Sequence, residues 1–251
     1  MDLEVVTLME RPDLIAAAHG FSDDTVAPFL YQDAVSVALF GNLVARHPEF
    51  TIMALDRTTG APVAMMCTMP FTPASDSPVD LPTGGYDAVL LTAAADELAG
   101  RRGTAVSALF ATVRPHLRGR GLSAFLLDAG RVNAARLGFA ALVVPVRPTR
   151  KHQHPDVPMA EYMTWRRADG LPADPWLRVH ARAGCRIIGV APHSMTITAP
   201  LDRWREWTKL PFDSTGPVYV PGGLVAVHCD IAAGTATYVE PNVWVQHDLR
   251  S

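Results

Sequence analysis

Apolar and polar positions along the chain change period several times, and each change marks an element. LEVVTLM (3–9) is a short apolar run of strand type. Across 12–47 one or two helices are expected, because Val35, Leu39, Leu43 and Val44 recur at helical spacing in AVSVALFGNLVARH. The period then shortens. FTIMALD (50–56) and APVAMMCTM (61–69) are β-rich runs joined by the turn-forming RTTG, which predicts a hairpin. The stretch 71–85, FTPASDSPVDLPTGG, is dense in Pro, Ser, Asp and Gly and reads as loop. YDAVLLTAAADELAGRR (86–102) follows with helix formers and a Gly-Arg-Arg end, so a short helix is expected.

The next unit is the most informative. AVSALFATV (105–113) reads as a buried strand, Leu122, Phe125, Leu126, Ala129 and Val132 recur at helical spacing with Asp128 and Arg131 opposite, and ALVVPVRP (141–148) is another apolar strand. Gly130 weakens the helix without cancelling its pattern. Strand, turn, helix and strand make a βαβ-like unit, and its turn is HLRGRGLS (116–123). A helix start presents amides with no partner inside the helix, together with the positive end of the helix dipole. Gly119 and Gly121 let the backbone approach a bulky anion, and Arg118 and Arg120 add charge, so a pyrophosphate fits the pattern. The same glycines could serve turn geometry alone. The pattern GxxxxGK[ST] is absent, and GxGxxG fails because its third glycine position falls on Ala124.

Composition narrows the classes. The 251 residues are 49% hydrophobic, enough for a sizeable core, and no repeat or low-complexity tail divides them, so one domain over 1–251 is expected. A net charge of −3 offers no excess of cations for a nucleic acid or an anionic membrane surface, and neither is expected as a partner. The acidic start MDLEVVTLMERPD lacks a signal-peptide pattern and no stretch approaches the ~20 apolar residues of a membrane span, so a cytoplasmic chain is expected. Cys67, Cys185 and Cys229 are odd in number and widely spaced, which suits buried thiols rather than disulfides or a metal knuckle.

The turn residues Arg118-Gly119-Arg120-Gly121-Leu122-Ser123, preceded by Val113-Arg114-Pro115, resemble the acetyl-coenzyme A motif of the GNAT superfamily of N-acyltransferases. That motif is Gln or Arg, two variable residues, Gly, one variable residue, then Gly or Ala; here Ser123 stands last, another small residue. The order of elements read above from Leu3 to about 248 is also similar to the family's. The resemblance implies an α/β (α+β) fold with a mixed, mostly antiparallel central sheet flanked by helices, a splayed coenzyme-binding strand pair and a final hairpin. Family members commonly carry YxxxGF at the end of a later helix. In DPWLRVHARAGCRIIGV (174–190) His180 holds the tyrosine position, Gly184 the glycine, and Cys185 replaces Phe. Two segments, 71–103 and 148–174, exceed what a minimal member needs and are read as insertions walling the acceptor pocket.

What the resemblance implies for chemistry is specific. Acetyl-coenzyme A, or another acyl-coenzyme A, is the cosubstrate, with Val113, Arg118, Gly119, Arg120, Gly121, Leu122 and Ser123 as its binding residues and no metal. A neutral amine of a small molecule or peptide attacks the thioester directly, a backbone N–H near Val113 stabilises the oxyanion, and an acid protonates the departing thiolate. His180 is the candidate acid; unlike tyrosine, a histidine acid has to start protonated. Its structural alternative is a packed histidine satisfied by a carbonyl. For the base the candidates are Glu161, the group His152, His154 and Asp156 in RKHQHPD, or a water chain; Glu161 could equally be an exposed helix residue paired with Arg166 or Arg167. HQHPD also suggests a rival, a metal hydrolase using His152, His154 and Asp156, but Val157 stands where the HxHxDH pattern needs its last histidine. Tyr162, Trp165 and Trp176 read as core or pocket wall. A further alternative is a GNAT-fold protein that binds acyl-coenzyme A or an acyl carrier protein, or decarboxylates a thioester, without acylating an amine. The near-neutral charge argues weakly against polycationic acceptors.

Overall fold

The computed structural model describes residues 2–21, 26–75 and 80–250. The first half carries β1 (Leu3–Thr7), α1 (Ile15–His19), α2 (Ala34–Arg46), β2 (Thr51–Asp56), β3 (Pro62–Phe71), α3 (Gly85–Leu98) and β4 (Ala105–Val113). The second carries α4 (Leu122–Arg136), β5 (Ala141–Val146), α5 (Met159–Tyr162), α6 (Pro175–Arg182), β6 (Arg186–Pro200), α7 (Leu201–Thr208), β7 (Gly216–Val218), β8 (Val227–Asp230) and β9 (Thr235–Asp248). The strands form one sheet in the order β1-β2-β3-β4-β5-β9-β8-β7, with β6 on the other edge of β9. Every pairing is antiparallel except β4 with β5.

Two irregularities in β4 shape the molecule. Its parallel ladder with β5 consists of Val106↔Leu142 and Ser107↔Val143 alone, so beyond these residues the strands part and their facing edges go unpaired. Against β3 the register jumps from Cys67↔Phe110 to Thr68↔Ala108, leaving Leu109 as a bulge residue without a partner. A bulge bends its strand and re-aims the neighbouring groups. Both features open the sheet at one place.

The predicted hairpin is β2 with β3, paired antiparallel from Thr51↔Cys67. The helix predicted in 86–102 is α3, whose Val89, Leu90 and Ala93 are buried with Leu43 of α2 and Phe71 of β3 in one core cluster. Three expectations need correction. The stretch 71–85 is not loop at its ends, since Phe71 closes β3 and Gly85 opens α3; residues 76–79 of it lie outside the described ones. The apolar face of α4 is turned from the one expected: Leu122, Leu126, Leu127, Gly130 and Ala134 are buried, while Phe125 and Val132 are 37% and 62% exposed. Gly130 lies on the buried face, where a Cβ would crowd the Met66 side chain, so the glycine marks the side of α4 laid on β3.

The third correction concerns the end of the chain. β6 and β9 do pair as the final hairpin, from Arg186↔Gln246 to Pro200↔Thr235, yet α7, β7 and β8 lie between them. These bring Trp204, Phe212, Val227 and Cys229 together with Phe29, Leu30 and Tyr238 as a second core cluster. Burying such aromatic side chains makes the segment structural in its own right. Tyr162 is core, and Trp165 and Trp176 pack partly buried against that core. Cys67 and Cys229 are buried free thiols and Cys185 is partly buried. Among the described residues no helix is long and apolar enough to cross a membrane.

Candidate active site

The glycine-rich turn is built for open main chain. After a short turn of 3-10 helix over Pro115–Leu117, Gly119 and Gly121 take φ of 78° and 82°, a left-handed conformation that favours glycine. Gly121 caps α4 without any side-chain hydrogen bond, and its carbonyl accepts from the amides of both Ala124 and Phe125. The amides of Leu122 and Ser123 precede any intrahelical acceptor. A Cβ placed on Gly119 or Gly121 would meet nothing within 4 Å. The glycines therefore answer to backbone conformation, and the space before them is vacant for a bulky anion at a helix start.

From this turn a cavity of about 410 Å³ runs between the parted strands. Ala108 to Val113 of β4 form one wall and Val144, Pro145 and Val146 of β5 the other; Arg118 and Ser123 stand at the turn, and Trp176 and His180 of α6 lie on the cavity wall. Main-chain groups freed by the splay give this apolar cleft hydrogen-bonding edges, which suits an extended amide-containing arm. The bulge at Leu109 and the residues up to Val113 all contribute to the wall, so the expected oxyanion donor near Val113 lies on the cavity.

His180 is fully buried. Its Nδ1 lies 2.9 Å from Nε2 of His247 on β9, and its ring meets Trp176 edge to face at 4.5 Å. Nε2 of His180 is buried with no hydrogen-bond partner among the described residues, and the His247 ring meets the backbone of Ala183. Burial, with the His247 ring adding to it, pushes His180 down to about 3. Burial and the nearby Arg131 cation push His247 down to about 4. Both rings are neutral at neutral pH, so the protonated start required of a histidine acid is not available here.

A second polar group closes the cavity beyond β5. Arg147 Nε donates to both carboxylate oxygens of Glu240 at 3.1 and 3.0 Å, and Arg147 Nη2 donates to the Gly222 carbonyl at 2.6 Å. The Tyr238 hydroxyl and the Asn242 amide also donate to Glu240, at 2.8 and 3.1 Å. Glu240 is thus satisfied despite being fully buried. Farther back, Asp33 caps α2 by accepting from the Ser36 amide at 2.7 Å, and Asp87 accepts from the Thr196 amide at 3.2 Å. Burial and the neighbouring Asp33 carboxylate push Asp87 up to about 8.

Other expected residues stand elsewhere. Glu161 is exposed on α5 and does not line the cavity; Arg166 donates to the Met163 and Trp165 carbonyls, and Arg167 pairs with Asp169 at 3.4 Å. His152 is exposed, the His154 ring packs on Trp165 with centroids 4.9 Å apart, and Asp156 accepts from the Tyr219 hydroxyl. These three do not converge, and among the described residues no group of three His, Cys, Asp or Glu could hold a metal. Sequence reading missed His247, Arg147 and Glu240. For His247 a signal exists: it shares one face of β9 with Val243 and Val245, both in the core, and strand parity carries the histidine to that face.

No protein-family model matches the chain. In an alignment of 190 positions that covers 68% of this chain and 66% of that protein, it is 40% identical to the arginine N-acetyltransferase avaD of Aspergillus versicolor. Among solved structures it superposes on the loading GNATL domain of CurA from Lyngbya majuscula with a TM-score of 0.58 at 17% identity, covering 99% of this chain and 97% of that one. It superposes on the GphF GNAT-like decarboxylase in complex with isobutyryl-CoA with a TM-score of 0.54 at 20% identity, covering the whole of both. These two likenesses speak for the fold. With the turn, the splayed β4–β5 pair and an acetyltransferase relative in agreement, the chain belongs to the GNAT superfamily.

Proposed function

We propose that this chain transfers an acyl group from acyl-coenzyme A to the amine of a small molecule or peptide. One observation carries the reading: an open, amide-lined turn at a helix start leads directly into a cleft between parted strands, with His180 on its wall. The coenzyme supplies a thioester. Gly119, Arg120, Gly121, Leu122 and Ser123 would hold its pyrophosphate through main-chain amides, with Arg118 adding charge at the mouth. The freed edges of β4 and β5 would orient the arm, and an amide between Leu109 and Val113 would meet the oxyanion. As the C–N bond forms and the C–S bond breaks, nitrogen gives up one proton and sulfur gains one. His180, neutral at pH 7, is the imidazole on the cavity wall, and we assign to it acceptance of the proton that nitrogen gives up and its return to the departing sulfur. Glu161, outside the cavity, is given no step.

Segment 148–174 contributes Thr149 to the cavity, which supports its reading as an acceptor wall; among the described residues segment 71–103 contributes none, and its α3 packs on β3 and β6 instead. The name of the avaD relative makes arginine the first acceptor to test. Thermal shift with acyl-coenzyme A donors of increasing chain length, then thiol release on adding amines, tests the proposal. Stabilisation by a short acyl donor and amine-dependent thiol release are expected. A protein that no acyl-coenzyme A stabilises overturns it, and stabilisation without thiol release across the amines would make the chain a binding protein or thioester decarboxylase.

A further inference from the structure

The polar side chains on the cavity wall are few, and their charges agree in sign. They belong to Thr112, Arg118, Ser123, Arg147, Thr149 and His180. His180 is neutral, and the two charged groups, Arg118 and Arg147, are both cations. Among the described residues no carboxylate lines the cavity. Arg118 stands at the glycine-rich turn, where the coenzyme's pyrophosphate is read. Arg147 follows β5, on the other wall, and the steps above give it nothing to hold.

The Arg147 head is fixed from behind and open in front. A guanidinium carries five N–H donors in one rigid plane. Nε donates to Glu240 at 3.1 and 3.0 Å, Nη2 donates to the Gly222 carbonyl at 2.6 Å, and the Tyr238 hydroxyl also lies against the head. With one N–H given to each of these three groups, two remain. The side chain is 24% exposed and lines the cavity, so the remaining donors are accessible to what the cavity holds. Glu240 does not annul the attraction for an anion there. It is fully buried off the wall, and Tyr238 and Asn242 donate to it as well, at 2.8 and 3.1 Å. An anion in the cavity meets the guanidinium at contact and Glu240 only beyond it, and Coulomb attraction favours the nearer charge. Thr149, two residues on and exposed, lines the same cavity with a hydroxyl that can donate too.

We propose that Arg147 and Thr149 recognise a carboxylate on the amine acceptor, which makes the acceptor class an amino acid rather than a simple amine. The inference rests on the acyl-transfer reading. The carboxylate accepts charge-assisted hydrogen bonds from the open N–H groups of Arg147 and one from the Thr149 hydroxyl. Holding that end of the acceptor fixes the reach of its amine towards the thioester, as direct attack requires. A simple amine finds no such anchor on this wall. Arg147 moves no proton; it sets specificity.

The test compares an amino acid with its amide, arginine and argininamide first, because the two differ by the carboxylate alone. In the wild type kcat/KM should favour arginine about 10–100-fold, through KM. Arg147→Lys keeps a cation against Glu240, but one ammonium cannot serve Glu240 and a ligand in two directions as the planar fork does. It should bring the two acceptors within about threefold of each other while argininamide changes little. Thr149→Val should narrow the preference about fivefold. Acetyl-coenzyme A affinity should stay within about twofold in both variants. Equal kcat/KM for arginine and argininamide in the wild type overturns the proposal with no variant needed, and so does an equal loss on both acceptors in Arg147→Lys. If malonyl-coenzyme A without amine stabilises the wild type more than acetyl-coenzyme A does, and Arg147→Lys removes that difference, the carboxylate belongs to the donor and the acceptor assignment falls. A wild type that releases no thiol with any amine overturns the acyl-transfer reading instead. Calorimetry of arginine and argininamide on the coenzyme A-bound protein then decides the carboxylate site: tighter binding of arginine upholds it, and equal binding overturns it.

Discussion

The two ends of the β4–β5 cleft are made of different material. At the turn, Arg118 and Ser123 border the cleft, and the glycines between them leave main chain facing vacant space. At the other end the wall is side chain: Arg147 after β5, His180 on α6, and behind them Glu240 and His247 on β9, all buried or nearly so. A backbone site tolerates most substitutions and fails only where conformation or access changes. A buried side-chain site depends on every partner. The first end is suited to holding a large, invariant part of a substrate, and the second to chemistry and selectivity.

The largest effect that would expose this contrast is expected at Arg147. Glu240 is fully buried and Arg147 supplies its only counter-cation among the described residues, so Arg147→Met leaves an uncompensated carboxylate in the core. Breaking such a pair by removing one partner costs ~3–5 kcal/mol, to be read as a shift of the urea midpoint. A loss below ~1 kcal/mol would mean that Tyr238 and Asn242 alone satisfy Glu240 and that this end is not a charge-dependent construction.

Acid should act on the same end. His180 and His247 titrate near 6.5 when unfolded and at about 3 and about 4 when folded. Below pH 6.5 the unfolded chain therefore binds more protons, and the stability these rings contribute is complete above pH 6.5 and lost as pH falls towards their folded values. The loss between pH 6.5 and 5 is on the order of 2 kcal/mol for a ring of this kind. Asp87, held at about 8, acts in the opposite sense over that window. The difference between wild type and a His180→Gln, His247→Gln double variant isolates the rings. Parallel stability curves for the two proteins would show that the rings titrate normally in the fold.

The turn end should respond in binding rather than in stability. Gly121→Asn places a side chain in the vacant space at a φ of 82°, a region that asparagine tolerates better than other residues. Acetyl-coenzyme A affinity should fall about tenfold or more, ~1.4 kcal/mol, while the melting temperature moves little. Calorimetry with unchanged affinity would remove the pyrophosphate from this turn.

The same contrast explains what was legible in the sequence. A site made by consecutive residues leaves a local trace, so RGRGLS announced itself, as did the strands and helix around it. His180 could be reached because Gly184 lies four residues on. Glu240 and His247 could not be paired with Arg147 and His180 from sequence, since 93 and 67 residues separate them and only the sheet order joins them. The segment holding α7, β7 and β8 was missed for a related reason: its aromatics find their partners in Phe29 and Leu30, at the opposite end of the chain. Local periodicity also misjudged α4, because Gly130 contributes to the buried face by lacking a side chain, and a hydrophobicity pattern scores that position as weak.

The smallest expected effect tests that last point. If Gly130 fixes the rotation of α4, Val132 points to solvent, at 62% exposure, and Val132→Lys should change stability by no more than ~0.5 kcal/mol. Leu127, buried at 1%, gives the opposite case, since Leu127→Lys drives an unpaired charge into the core and should prevent folding at neutral pH. Denaturant midpoints for the two variants, made in the same background, report the rotation directly. It matters to the cleft because the rotation that exposes Phe125 and Val132 is the one that sets Ser123 and Leu126 on the cavity wall. A loss above ~1 kcal/mol for Val132→Lys would turn the helix towards the face that apolar spacing favours, carry Ser123 off the wall, and separate the amide-lined turn from the cleft it is read as feeding.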